Sequence, residues 1–336
     1  MADCPTGGCS IPLTTRAEKR NAYERDPQKA REICQGLRDD LFRIGQNYFS
    51  RTYDLASIEG FLHDAWDEFI YAAKMQPADS AEIDRLVTLI LEVRELGAFR
   101  PTEQDAVDQS KRSEEAVTMS NGQWLWTDLP YLADDLYDFW VTESAALTGP
   151  ERASLAAFTG KLCAVGVGAP QLSRCALWLF VRALETELPP ETLADLLPAC
   201  REWLRYSKTK LVKMASDNYC PPPPAEGEDD ATLYAVGPLV ADADMPPGFS
   251  IARWLSWRKR AGDIYSAGSG DVSKLGRACF EEMMNAGQFV GIDVPAEKVY
   301  LERVFKALED ELASGRFTGC VGVEDIEIDP DWAKET

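Results

Sequence analysis

The amino-acid sequence predicts an all-α protein: a multi-helix bundle with a long acidic, proline-rich loop and a C-terminal helical subdomain. Apolar residues recur at three- and four-residue spacing through most of the 336 residues, which is the period of an amphipathic helix. No run alternates polar and apolar residues convincingly enough to predict a strand, and no internal repeat is evident. The chain is 45% hydrophobic, which is ample material for a core.

Three helices are predicted from their patterns alone. Residues 58–73 carry an apolar stripe that is typical of a half-buried helix. Residues 83–96 and 171–187 are apolar on most sides and predict buried helices. The helix at 171–187 ends before Pro189-Pro190, because proline has no amide hydrogen and clashes with the preceding turn.

The same spacing predicts the remaining helices, at roughly 28–46, 128–146, 150–165, 191–216, 249–267, 271–290 and 296–314. The helix at 128–146 has the clearest start signal. Thr127 or Asp128 can accept backbone N–H bonds as an N-cap, and Pro130 suits the first helical turn.

One segment interrupts this helical pattern. Residues 219–247 contain four consecutive prolines and an acidic run, which predicts a loop because such a composition supplies neither helix nor core. We therefore predict a flexible N-terminus at 1–15, a main bundle at 16–218 and this loop at 219–247. The helices of 248–316 are too few for an independent domain and are expected to pack on the bundle, followed by an acidic tail at 317–336.

Charge and cysteine usage exclude several partners and places. The net charge of −21 disfavours nucleic acid and anionic membranes, both of which attract cationic proteins. No run reaches the roughly 18 apolar residues that a membrane span needs, and the first residues do not resemble a signal peptide. Nine cysteines, an odd number, fit reduced thiols. A cytoplasmic protein is therefore predicted.

Most common catalytic motifs are absent from the sequence. It contains no GxxxxGK[ST] loop, GxSxG elbow or HExxH pair. His63 is the only histidine; its spacing predicts a surface pair with Asp67, and a role as general base stays open. Cys4 and Cys9 supply two of the four ligands of a closed zinc site, so we predict no zinc there.

A basic segment, Arg253-Trp-Leu-Ser-Trp-Arg-Lys-Arg260, stands out in this acidic chain. Trp254 and Trp257 fall on one helical face. We predict that this face packs on the bundle, and that Arg253, Lys259 and Arg260 form a solvated flank.

An aspartate cluster offers the sharpest chemical hypothesis. Asp134, Asp135 and Asp138 form a DDxxD pattern, which resembles the element by which class I terpene synthases hold Mg²⁺ and a substrate diphosphate. A second element, from Gly262 to Gly270, loosely resembles their other metal motif. Glycines occupy two of its three ligand positions, with Ser266 the remaining one, and make a continuous helix through the segment unfavourable.

Helix geometry tests this hypothesis at the level of the sequence. At 100° per residue, the apolar side chains of the segment fall on one arc, namely Leu129, Leu132, Leu136, Phe139 and Trp140. Asp134 and Asp138 lie nearly opposite, and Asp135 lies towards the edge. A solvated acidic face is the simplest interpretation, and a cavity lined by the same side stays open.

Four blocks resemble a fungal family of uncharacterised helical proteins, known only as a domain of unknown function. They are Trp126-Thr-Asp-Leu-Pro-Tyr-Leu, Glu151-Arg-Ala-Ser-Leu-Ala-Ala-Phe-Thr-Gly-Lys-Leu, Cys175-Ala-Leu-Trp-Leu-Phe-Val-Arg-Ala-Leu-Glu185 and Pro247-Gly-Phe-Ser-Ile-Ala-Arg-Trp-Leu-Ser-Trp257. The resemblance spans about residues 54–290 and implies no catalytic residue. In such blocks Trp178 is expected as a packing anchor, and Arg182 with Glu185 as an ion pair.

Some members of that family lie beside secondary-metabolism genes. The resemblance therefore suggests an accessory or interaction protein linked to that metabolism, without a cofactor, that binds an unknown protein or a small apolar ligand. The alternative is a divergent Mg²⁺-dependent, terpene-cyclase-like enzyme that acts on a prenyl diphosphate through Asp134, Asp135 and Asp138. Whether the protein is an enzyme stays open.

Overall fold

The computed structural model describes residues 36–44, 54–100, 116–221, 235–243 and 245–314. The regular secondary structure within these ranges is helical, with no β-strand and one isolated bridge between Thr118 and Trp124. The predicted all-α fold is confirmed. Predictions on the N-terminal segment with Cys4 and Cys9, on most of the acidic stretch of the loop and on the acidic tail lie outside the described residues.

The described residues include nine α-helices whose bounds are given below, and a further helical segment covers residues 36–44. The nine are α1 (Leu55–Lys74), α2 (Ala81–Glu95), α3 (Leu132–Glu143), α4 (Gly149–Ala164), α5 (Ala169–Leu184), α6 (Pro190–Ser216), α7 (Ile251–Ala267), α8 (Gly270–Met283) and α9 (Glu297–Ser314). Short 3₁₀ turns lie at Ser144–Ala146, Pro238–Ala243 and Gln288–Val290. None of the described helices is long and apolar enough to cross a membrane.

The chain divides into two compact units, residues 1–172 and 173–336, and their boundary falls inside α5. In the first unit α1 packs on α3 and α4, and α2 packs on α4. The predicted division into a bundle, a loop and C-terminal helices stays a prediction.

Local sequence signals account for the helix starts of the first unit. The Asp54 carboxylate accepts the Ser57 N–H at the start of α1, and the Ser80 hydroxyl does the same for Glu82 in α2. A capping box opens α4, where Thr148 and Glu151 satisfy each other's backbone N–H groups. Each cap pairs an amide that the helix itself leaves without an acceptor.

The predicted start of the helix at 128–146 is wrong. Helix α3 begins at Leu132, after Tyr131 with φ 68°, and no side chain caps it. Trp126 and Leu129 also have positive φ, and both are buried. Asp128 accepts the Trp124 N–H at 2.7 Å, upstream of the helix. A residue of another helix stabilises this turn: Trp66 of α1 donates from Nε1 to the Pro130 carbonyl at 2.7 Å.

The second unit is organised around α8, which packs on both α6 and α7. Gly276 allows the close approach of α7 and α8: a Cβ there would lie 2.8 Å from Ile264 Cγ2 and 2.9 Å from the Tyr265 amide nitrogen. The predicted break in the glycine-rich segment is confirmed, since α7 ends before Gly268 and α8 begins at Gly270. The helix predicted at 271–290 ends at Met283.

A buried ion pair joins three segments of the second unit. Arg253 Nε donates to Glu185 Oε1 at 2.5 Å and Arg253 Nη2 to Glu185 Oε2 at 2.9 Å, with both side chains 0% exposed. Trp257 Nε1 and the Gly237 N–H also donate to the same carboxylate. Arg253 further donates to the carbonyls of Ala235 and Gly248, so one ion pair connects the end of α5, the segment at 235–237 and the start of α7.

This ion pair corrects two predictions. Arg253 was expected on a solvated flank, and Glu185 was expected to pair with Arg182. The helical wheel could not reveal either outcome, because the partners are 68 residues apart. Arg182 instead stacks over the ring of Trp178, 4.6 Å from its centroid. Trp254 and Trp257 are 0% exposed, as predicted.

Candidate functional site

The three aspartates of the DDxxD pattern lie on α3 in the first unit. The predicted apolar stripe is confirmed, because Leu132, Leu136, Phe139 and Trp140 are all buried. Asp138 is exposed, whereas Asp134 and Asp135 are half-buried. Across the described part of the chain, no group of three or more His, Cys, Asp or Glu side chains is placed to hold a metal ion. The Mg²⁺ site therefore stays a prediction.

Asp135 lies in a polar cluster that the sequence did not indicate. Its Oδ2 lies 2.8 Å from His63 Nδ1 on α1, and the His63 ring lies 4.4 Å from that of Tyr131. Tyr131 Oη is 2.9 Å from Ser120 Oγ, and burial raises the pKa of Tyr131 above its ordinary value. The contact with the Asp135 carboxylate orients the imidazole ring of His63. Because His63, Tyr131 and Asp135 lie on α1, the turn before α3 and α3, the cluster joins these three parts of the fold.

The predicted surface pair of His63 with Asp67 was inferred from an (i, i+4) spacing. In the structure His63 contacts Asp135, which lies 72 residues away in the sequence. No local pattern signals a contact of that separation. The strained Tyr131 backbone, at φ 68°, is part of the same arrangement, because it places the tyrosine ring beside His63.

The second element of the metal hypothesis lies on α7, in the second unit. Asp263 Oδ2 accepts a bond from Lys259 Nζ at 2.8 Å. The Ser266 hydroxyl donates to the Gly262 carbonyl at 3.0 Å, within the helix. Both groups thus have contacts with neighbouring residues of their own helix.

A cleft of about 340 Å³ opens in the second unit, between the α5–α6 connection, α6, α7 and the start of α8. This size is in the range of small-molecule sites, which are mostly apolar with a few placed polar groups. Most of the lining side chains are aliphatic, namely Leu188, Pro190, Leu193, Ile264, Ala267 and Val272. The cleft can therefore take a compact apolar molecule.

Three charged residues line the same cleft: Glu187, Arg260 and Asp263. Arg260 Nη2 donates to Glu187 Oε2 at 3.2 Å. The Arg260 Nε–H is closed off from solvent and has no acceptor among the described residues. Arg260 was predicted to be solvated, but its side chain is only 21% exposed. No sequence signal marks this cleft, because it is formed by residues of several helices.

Comparison with known proteins shows which family the chain belongs to and which of these residues its family model covers. The family model "Protein of unknown function (DUF3632)" matches residues 66–261. The chain belongs to this family. The DUF3632 match runs from Trp66 in α1 to Ala261 in α7, and so includes Asp135, the Glu185–Arg253 pair and Arg260. The resemblance inferred from the sequence blocks is confirmed.

A curated relative adds a biological setting. The chain is 25% identical over 286 residues to "Oxopyrrolidines biosynthesis cluster protein G" of the fungus Penicillium oxalicum. That alignment covers 79% of this chain and 75% of the relative. No solved structure matches the chain.

Proposed function

We propose that this DUF3632 protein is a non-enzymatic accessory protein that binds a small apolar molecule in the α6–α7–α8 cleft and works alongside the biosynthesis of a secondary metabolite. The observation that carries the proposal is the cleft itself, with a volume of about 340 Å³ and a mainly aliphatic lining. Burying apolar ligand surface in such a site supplies roughly 25 cal/mol per Å² before the costs of association.

The link to secondary metabolism is supported by the relative from a biosynthesis cluster. A protein of such a cluster can carry, protect or position an intermediate. That role fits the mainly aliphatic cleft of the second unit. Deleting the gene and comparing metabolite extracts tests this part, and an unchanged metabolite profile would contradict it.

Binding in the cleft is tested with N-phenyl-naphthylamine, a neutral apolar dye that fluoresces more strongly when water is excluded. We expect saturable binding to the full-length protein. Ala267 is exposed and lines the cleft, so Ala267→Trp fills the space and lowers the affinity at least about tenfold, by steric exclusion.

The matched control is Ala252→Trp, the same change at an exposed position of the same helix outside the cleft lining. This variant keeps wild-type affinity if the dye binds in the cleft. Equal loss in both variants, or no loss in either, would sink the proposal that this cleft is the binding site.

The alternative function, Mg²⁺-dependent chemistry on a prenyl diphosphate, has its own test. Thermal unfolding is followed with Mg²⁺ and inorganic diphosphate together, because a bound ligand raises the unfolding temperature. A shift that Asp134→Asn abolishes would favour this alternative, and hydrocarbon products from a prenyl diphosphate would establish it. The accessory function predicts no such Asp134-dependent shift and no hydrocarbon products.

A further inference from the structure

We infer that the molecule bound in the cleft is neutral and carries a carbonyl oxygen, which the Arg260 guanidinium recognises. This inference rests on the proposed function and specifies the chemical class of its ligand.

Arg260 is under-supplied with acceptors. A guanidinium has five N–H donors, and here Nη2 donates to Glu187 Oε2 at 3.2 Å while the sealed Nε–H has no acceptor in the described residues. Because Nε is closed off from solvent, a molecule in the cleft does not reach it. The other N–H donors of the guanidinium lie on its two Nη atoms, and an oxygen atom of a bound molecule can accept a hydrogen bond from them.

Charge decides which kind of oxygen fits. Glu187, Arg260 and Asp263 together give the lining a formal charge of −1. Lys259, the partner of Asp263, balances that charge, so no excess positive charge is available for an anion. A carboxylate would also compete with Glu187 for the same guanidinium. A neutral carbonyl accepts the hydrogen bond without adding charge, and the aliphatic lining takes the rest of the molecule.

Three probes of matched size test the inference on the full-length protein: acetylnaphthalene, ethylnaphthalene and naphthoate. Calorimetric titration gives their dissociation constants. A hydrogen bond to a charged donor predicts that the ketone binds at least about tenfold more tightly than the hydrocarbon. The ketone should also bind more tightly than the carboxylate.

The variant Arg260→Met keeps an unbranched apolar side chain and removes the donors. We expect the preference for the ketone over the hydrocarbon to disappear, while ethylnaphthalene keeps its affinity. Glu187→Gln keeps Arg260 and removes one negative charge, so naphthoate should gain affinity relative to the ketone. The wild-type series decides the inference even if a variant fails to fold.

The outcomes separate the two proposals. If none of the probes binds, the proposed apolar-ligand function fails and the inference fails with it. Equal affinity for ketone and hydrocarbon overturns the carbonyl inference and leaves the apolar site intact. Tightest binding of naphthoate also overturns it and assigns the site to anions.

Discussion

At the scale of single residues, the most consequential contact is the buried pair of Glu185 and Arg253. Its carboxylate accepts bonds from Arg253, Trp257 and the Gly237 amide. Every partner comes from a segment distant in sequence. Charged side chains are almost never fully buried unless paired, so the pair is stable only because all three segments meet.

Breaking this pair is expected to destabilise the second unit strongly. Arg253→Met leaves the Glu185 charge buried without its partner, which typically costs about 3–5 kcal/mol. Urea unfolding gives the change in free energy. The double variant Glu185→Gln/Arg253→Met should lose less than the sum of the two single losses, because no unpaired charge remains.

The exposed pair of Lys213 and Asp217 is the control, with side chains 62% and 54% exposed. Lys213→Met should cost less than about 1 kcal/mol, since exposed ion pairs contribute little. Equal losses at the two pairs would contradict the structural role of the buried one.

At the scale of helices, the contact between α7 and α8 depends on a residue without a side chain. A Cβ at Gly276 would lie 2.9 Å from the Tyr265 amide nitrogen and 3.1 Å from the Ala261 carbonyl. Both atoms belong to the backbone of α7, which cannot move aside cheaply. Helix propensity alone would favour alanine at this position by about 1 kcal/mol, so propensity and packing predict opposite effects.

We expect packing to win, so that Gly276→Ala destabilises the protein by about 1–3 kcal/mol. Thermal unfolding followed by circular dichroism measures the change. Gly36 lies in the described helical segment at 36–44, and a Cβ there would meet nothing within 4 Å. Gly36→Ala should therefore be neutral or stabilising, and a stabilising Gly276→Ala would refute the close approach of α7 and α8.

The capping box of α4 links a helix start to pH. Burial alone would raise the pKa of Glu151, but the hydrogen bonds from Thr148 and the positive charges of Lys74 and Arg152 together outweigh it and leave the pKa below its ordinary 4.5. Because the folded pKa is the lower one, the unfolded chain takes up the proton first as pH falls. The stability from Glu151 is therefore present above about pH 4.5 and is lost as pH falls through the folded pKa.

Glu151→Gln should therefore lower the urea midpoint at about pH 7 and change it less at about pH 3.5. At neutral pH the loss is about 0.3–1 kcal/mol, the usual contribution of a carboxylate charge at a helix N-terminus, because glutamine can still accept the Thr148 N–H bond. Glu309→Gln, at an exposed position of α9, should change little at either pH. If the loss of stability caused by Glu151→Gln grew as pH falls, it would contradict the predicted lowering of the Glu151 pKa in the folded protein.

At the scale of the whole molecule, the net charge of −21 is the dominant feature. Repulsion among like charges opposes the compact state, and salt screens it over about 10 Å at 0.1 M ionic strength. Raising NaCl from about 10 mM to about 0.5 M should therefore raise the unfolding temperature.

The same measurement in MgCl₂ at equal ionic strength distinguishes charge screening from specific binding of Mg²⁺. Screening alone gives a similar rise with both salts. A larger rise with MgCl₂ that Asp134→Asn removes would support the metal hypothesis for the DDxxD pattern. No rise with either salt would contradict the account of self-repulsion.

The sequence by itself determined the helical fold class, the apolar stripe of α3, the break near Gly268, the burial of Trp254 and Trp257, and membership of the family. Each follows from the identity and spacing of residues close along the chain, because helical periodicity is a local property. Only the tertiary structure decided that Arg253 is buried on Glu185, that His63 meets Asp135, that α3 begins after a strained turn, and that Arg260 lines an apolar cleft. These contacts join residues 68 and 72 positions apart or several helices at once, and packing chooses them among many partners that local spacing leaves equally plausible.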